Sequence, residues 1–360
     1  MRRAAIWVPL LLALVSPAAS ATPVNEATPG VDDAEPEAFG ADTPLGRLSY
    51  RAGRGLRVGK TGLLGGFATV GAEFLEGGER RGGVEELNFL VSFDPVPFLH
   101  LFTELEVERL AELERGQKGV RSDPNLEVRR LYLDLQASDA LNLRFGEFLT
   151  PIGRWNLASR EPLLWTTSDP LIVEQIFDQT ATGAMLYGSA FPRGGALSYS
   201  LYGTFLDPID PDPAAPPAER GAGAHLEWAS VGGWTVGASY FTSELRNGEW
   251  NHLGGADLLW QPHRRVEVSG EALFGEGSRE DGRLWGLYAQ TVVETVRTLY
   301  VVGRYERFDP PGVGRAVDLF DLGLAWVPVP YLRLKADYVI ADHLDELSSP
   351  GLRMSVSILF

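Results

Sequence analysis

From residue 65 to the C-terminus, apolar side chains recur at every second position, and hardly any stretch holds a 3.6-residue period for more than two turns. Within 84–93, Leu87, Phe89, Val91 and Phe93 share one side, while Glu86, Asn88 and Ser92 share the other. Within 99–108, Leu99, Leu101, Leu105 and Val107 oppose His100, Glu104, Glu106 and Glu108. The same split recurs in 130–136, 141–145, 266–274, 332–340 and 352–360. A period of two belongs to strands with unlike faces, so the chain reads as all-β.

Alternation alone leaves open whether water or lipid meets the apolar face. Count and spacing narrow the choice. Strand centres near residues 70, 88, 103, 132, 143, 186, 201, 225, 238, 257, 270, 290, 302, 322, 335 and 355 make sixteen, the even number that bacterial outer-membrane barrels show. Short links at 94–97, 138–139, 192–194, 230–232, 261–263, 295–297 and 327–330 alternate with longer polar connections. That is the short-turn, long-loop rhythm of such barrels. The pattern predicts a 16-stranded antiparallel transmembrane β-barrel. Phe93, Phe98, Trp228, Trp234, Trp260, Trp285, Tyr300, Trp326, Tyr331 and Phe360 sit at strand ends, where interfacial girdles are built.

The N-terminus supplies the compartment. Arg2 and Arg3 precede an apolar run from Ala4 to Val15 and a small-residue stretch ending at Ala21, which together read as a signal peptide over 1–21. No apolar run reaches the roughly 20 residues that a membrane helix needs. Residues 22–46 are acidic and proline-broken, and read as a flexible periplasmic leader; 47–360 is the barrel. The expected location is the outer membrane of a Gram-negative cell, with its lipid as the first partner. The formal net charge of -16 argues against nucleic acid, and the lack of cysteine excludes disulfides and thiolate chemistry. The last strand carries Leu352, Met354, Val356, Ile358 and Phe360 on one face. It looks like the terminal strand read by the barrel assembly machinery, with Phe360 as the assembly signal.

Around the longest connection the sequence runs Leu143-Arg144-Phe145-Gly146-Glu147-Phe148-Leu149-Thr150-Pro151-Ile152-Gly153-Arg154-Trp155-Asn156. This resembles the strand-and-turn pattern of the phosphate-selective porin O/P superfamily. The resemblance implies a passive diffusion channel for small hydrophilic solutes or ions, without cofactor or metal, that can assemble as a homotrimer. It also implies that the connection 148–181, the third outer loop, folds into the pore. The segment's own residues favour this, since it is too long for a bare link and carries Phe148, Ile152, Trp155, Leu163, Leu164, Trp165, Ile172 and Phe177 as anchors.

Charges on that loop name the candidate constriction: Arg154, Arg160, Glu161, Asp169 and Glu174. Strand parity sends inward the acids Glu86, Glu104, Glu106, Glu108, Asp134, Glu267, Glu271, Glu294, Glu306, Asp321 and Asp337. The inward bases are Arg130, Arg144, Arg304, Arg333, Lys335 and Arg353. Arg333, Lys335 and Arg353 are placed to face the loop and set up a transverse field. The arginine and lysine run associated with phosphate selectivity is thin here, as the only lysines are Lys60, Lys118 and Lys335, and the acidic excess leans toward cations. Two other classes stay open. One is a structural or adhesive barrel with a blocked lumen. The other is a barrel enzyme, for which His343 beside Asp342, Asp345 and Ser348 is the nearest cluster. Asp207, Asp210 and Asp212 lack the glycine and closing glutamate of an EF-hand loop.

Overall fold

A computed structural model describes residues 39–43, 46–114, 119–158, 162–209, 218–245, 248–276, 282–310, 315–342 and 349–360. Three short strands come first: β1 Phe39–Thr43, β2 Gly46–Arg51 and β3 Gly55–Val58. The barrel begins with β4 Gly62–Leu75, β5 Arg80–Val96, β6 Leu99–Glu114, β7 Asn125–Ser138 and β8 Leu141–Leu149. Two short helices, α1 Trp155–Ala158 and α2 Leu171–Gln175, lie in the connection to β9 Thr180–Ala190. Then follow β10 Gly195–Leu206, β11 Ala218–Ser230, β12 Trp234–Leu245, β13 Trp250–His263 and β14 Val266–Glu276. The series ends with β15 Arg283–Val296, β16 Leu299–Asp309, β17 Val317–Val329, β18 Leu332–Ala341 and β19 Gly351–Leu359. Each barrel strand pairs antiparallel with the next, and β19 pairs back onto β4 from Gly351↔Leu75 to Leu359↔Phe67, which closes sixteen strands into a ring.

The faces are inverted relative to a soluble protein. Along β17, Leu322, Leu324 and Trp326 point outward at 60%, 51% and 48% exposure, while Asp321 is buried at 1%. On β18, Lys335 and Asp337 are buried and Tyr338 and Ile340 exposed; on β19, Ser355 and Ser357 are buried and Met354, Val356 and Ile358 exposed. Phe89, Val91 and Phe93 of β5 are exposed in the same way. An apolar outer wall around a polar interior suits lipid outside and water or polar contacts within.

Two expectations are corrected. The span read as leader contains β1 and the first residue of β2, and Phe39 to Thr43 pair with Tyr50 to Gly46. The acidic, proline-broken composition of 22–46 reads as a tether and gives no sign of the pairing partner that residues 46–50 supply. These strands extend the wall: β3 pairs with Gly62 to Leu64 of β4, just beyond the point where β19 ends. Gly53 and Gly55 have φ of 72° and 79°, and a Cβ on Gly53 would stand 2.5 Å from the Tyr331 side chain, so the β2–β3 turn needs glycine there. Tyr300, assigned above to a girdle, faces inward instead, its ring 4.7 Å from that of Trp165. The parity of β16, where Val302 and Arg304 are buried, places it in the lumen.

Phe360 continues the closure. Its N–H donates to the Gly66 carbonyl at 2.9 Å, and Gly66 N–H donates back at 3.0 Å. The ring lies 6.2 Å from Phe89, across a Gly66 whose missing Cβ would meet it at 2.8 Å.

If lipid covers this wall, Leu324→Arg should destabilise the barrel by about 2–4 kcal/mol, as measured by denaturant titration in phospholipid vesicles. A shift within about 0.5 kcal/mol, the usual size at a water-exposed site, would contradict lipid contact.

Candidate functional site

The stretch from Gly146 to Asn156 forms the neck of the third long connection, residues 150–179. Gly146 has φ of 123°, and a Cβ there would stand 2.2 Å from the Leu131 carbonyl oxygen. Thr150 N–H donates to the Gln179 carbonyl at 2.9 Å and its Oγ1 to the Asp178 carbonyl at 2.7 Å. Asn156 Nδ2, fully buried, ties both sides together by donating to the carbonyls of Thr150 at 2.8 Å and Gln179 at 2.9 Å. At Gly153, φ is 65° and a Cβ would lie 2.1 Å from Glu271. The bare glycine lets Glu271 Oε1 accept from Arg154 N–H at 2.8 Å and from Trp155 N–H. The motif read from sequence is thus a backbone device that turns the chain inward.

Beyond the neck the connection lies against the inner faces of β12 to β18. Ile152, Trp155, Leu164, Leu171, Ile172 and Val173 form a buried cluster with Leu253, Leu273, Tyr288, Phe308, Val317, Leu319 and Val339 of the wall. Each fully buried side chain of this size contributes about 1.5–3 kcal/mol. Polar contacts fix the register. Asp337 accepts from Thr167 N–H at 2.8 Å and its hydroxyl at 2.9 Å, Asp321 from the Ser168 hydroxyl at 3.1 Å, and Glu306 from Leu171 N–H at 2.8 Å. Arg304 donates to Thr166 Oγ1 at 2.6 Å and the Ser168 carbonyl at 2.8 Å, and its guanidinium pairs with Glu306 at 2.7 Å and Asp321 at 3.2 Å. Lys335 Nζ donates to the Thr166 carbonyl at 2.6 Å, and Arg333 to those of Leu163 and Leu164 at 2.7 and 2.8 Å.

A cavity of approximately 320 Å³ lies between the loop and the inner faces of β4 to β8. Its wall carries Glu85 and Glu86 of β5 and Glu104, Glu106 and Glu108 of β6, and the loop adds Asp169 and Glu174. Against these seven carboxylates stand Arg129 and Arg130 of β7. Arg130 pairs with Glu104, and Arg129 with Glu106 at 3.2 Å. Among the described residues no group of three or more His, Asp or Glu is arranged to hold a metal ion.

The residues nominated from sequence are thus divided. Glu104, Glu106, Arg130, Asp169 and Glu174 line the cavity. Arg144 is buried in the lumen on Asp134, at 2.7 and 2.8 Å, with the Tyr132 ring 3.6 Å beneath it. Arg154 turns away from the cavity to pair with Glu227. Arg353 pairs with Glu73 at 3.4 Å and donates to the Ser349 carbonyl at 2.7 Å. The transverse field expected from Arg333, Lys335 and Arg353 is corrected accordingly: the first two hold loop carbonyls, and the third is engaged near the long-loop rim. Arg160, Glu161, His343, Asp345, Ser348, Asp210 and Asp212 lie outside the described residues.

Parity missed Glu85 and Arg129. Glu85 is the extra residue where the register shifts at Thr69/Val70, and Arg129 where it shifts at Glu104/Leu105, so at each bulge two consecutive side chains face inward. Asp257 was also missed; it is buried directly across from Glu271.

Gly153→Ala should cost about 1–3 kcal/mol through the positive φ alone. Its thermal midpoint in detergent should fall, and the loop should become more sensitive to protease. Wild-type values for both would show that Glu271 does not require the bare glycine.

No family model matches the chain. An uncharacterized protein of Aquifex aeolicus (strain VF5) is 25% identical to it, across 78% of this chain and 79% of its own. Among solved structures, OmpF of Salmonella typhi in complex with daunomycin matches 83% of this chain with 97% of its own, at 12% identity and a TM-score of 0.57. An anion-selective porin from Comamonas acidovorans matches 83% of this chain with 99% of its own, at 14% identity and a TM-score of 0.57. The fold is that of the sixteen-stranded outer-membrane porins.

Proposed function

We propose that this protein is a passive diffusion channel of the Gram-negative outer membrane for small hydrophilic solutes, with a preference for cations. The porin fold supports a channel, and the cavity lining carries the preference: seven carboxylates and two guanidiniums line the space beside the loop. Carboxylate-lined constrictions favour cations through their local field. The same lining is opposite in sign to what a phosphate pore needs. The Thr150-Pro151 pattern gives no reason to assign phosphate, because its polar groups are used in the loop neck. Residues 150–179 set the narrowest section, with Asp169 and Glu174 on the loop side. Homotrimer assembly, and use of Phe360 by the barrel assembly machinery, belong to the same reading.

Reversal potentials in a planar bilayer under a KCl gradient should show potassium permeating ahead of chloride; chloride preference, or no conductance from a folded barrel, would overturn the proposal. Deleting residues 156–176 should raise single-channel conductance, and an unchanged value would place the constriction elsewhere.

The selectivity should also depend on pH. The protein mass enclosing the pore, with Asp169 and Glu306 nearby, pushes the Glu174 carboxyl up to about 7, against the opposite pull of Arg304 and Arg353, although the side chain itself is exposed to the cavity. Below that pH the group is neutral, and above it the group adds one negative charge to the constriction. One unit charge at about 4–8 Å in a water-like medium is worth about 0.5–1 kcal/mol. The potassium-to-chloride permeability ratio should therefore rise about two- to fivefold as pH increases through 7, and Glu174→Gln should flatten that rise.

A further inference from the structure

We infer that the constriction contains a binding site for short aliphatic diamines, in which two neighbouring rungs of the β5–β6 wall each take one ammonium group. The inference rests on the open-channel reading and names a solute class for it.

Glu104, Glu106 and Glu108 occupy every second position of β6 and all line the cavity, so their carboxylates rise along the wall in steps of about 7 Å. Across the ladder, Asn88 stands opposite Glu106 and Glu86 opposite Glu108. The two rungs are therefore Asn88 with Glu106, and Glu86 with Glu108, one step apart. An α,ω-diamine with roughly four or five methylenes separates its charges by about that step.

Asn88 supplies the observation that a merely acidic wall would not. It is 1% exposed, its Nδ2 donates to Glu86 Oε2 at 3.2 Å, and its Oδ1 has no hydrogen-bond partner. The residue belongs to the cavity lining. A buried acceptor left unpaired is unfavourable, and a primary ammonium, with three donors and no acceptor, is the group that relieves it beside a carboxylate. Phe67, Leu149 and Leu164 add apolar side chains to the same lining, suited to contact with methylenes. A bare divalent ion fits less well, because among the described residues no three carboxylates converge on a point. The diamine spans two separated sites instead.

The test uses the purified full-length mature protein in a planar bilayer with symmetrical KCl, titrated with 1,4-diaminobutane, butylamine or MgCl2. The diamine should reduce the current at concentrations at least about tenfold below those needed for butylamine or magnesium. Asn88→Leu and Glu108→Gln should each raise the diamine's half-blocking concentration several-fold and narrow its advantage over butylamine. Equal block by the two amines, magnesium acting as well as the diamine, or an unchanged ratio in both variants would overturn the inference while leaving the channel intact. If no current is seen, the channel reading fails instead, and calorimetric titration of the detergent-folded barrel with the same three compounds decides the site by the same comparison.

Discussion

Closure of the sheet through β19 and β4 is the constraint on which the other features depend. In hydrocarbon an unpaired backbone N–H or C=O has no water to turn to, so a spanning sheet must return to its first strand. The nine pairs from Gly351↔Leu75 to Leu359↔Phe67 complete that ring. Once the ring is closed, side-chain period two sorts every residue to lipid or lumen. Sixteen strands enclose more space than their own side chains fill. The protein occupies much of that space with one loop.

Charges in the lumen consequently have two different tasks. On the β13 to β18 side, Glu271, Arg304, Glu306, Asp321, Lys335 and Asp337 are consumed by the loop, bonding its backbone or hydroxyl groups or pairing with one another. Losing one partner of such a buried pair strands the other, which costs about 3–5 kcal/mol, so these groups hold position. On the β5 to β7 side the carboxylates lining the cavity outnumber the bases, and the loop does not engage them all. A count of lumen acids and bases therefore misstates the field. What matters is which charges the loop has already engaged.

The division explains what could be read in advance. Strand number, face assignment and the alternation of turns and loops follow from local pattern, and every strand centre named from the sequence falls inside a barrel strand. The inward parity of Glu104, Glu106, Arg130, Arg144 and Lys335 was equally local. Parity fails where the register shifts by one residue, hence the missed Glu85 and Arg129. It also cannot say which lumen groups a loop will contact. Arg333 and Lys335 were placed in the right space and given the wrong task, because their carbonyl partners lie about 170 residues away in sequence. Strand β1 was missed because its acidic, proline-flanked sequence gives no sign of the partner at 46–50, and β2 and β3 because six and four residues are too short to show a period.

The added strands bear on how the ring finds its alignment. A slip of one residue between first and last strands would exchange lumen and lipid faces along the whole seam. Side chains penalise such a slip only after the strands have met. Here β3 occupies the edge of Gly62 to Leu64, and Phe360 abuts that stretch at Gly66. The hairpin thus works as a mechanical stop: the last strand can slide along the first only until it meets an occupied edge, and that point is the native alignment.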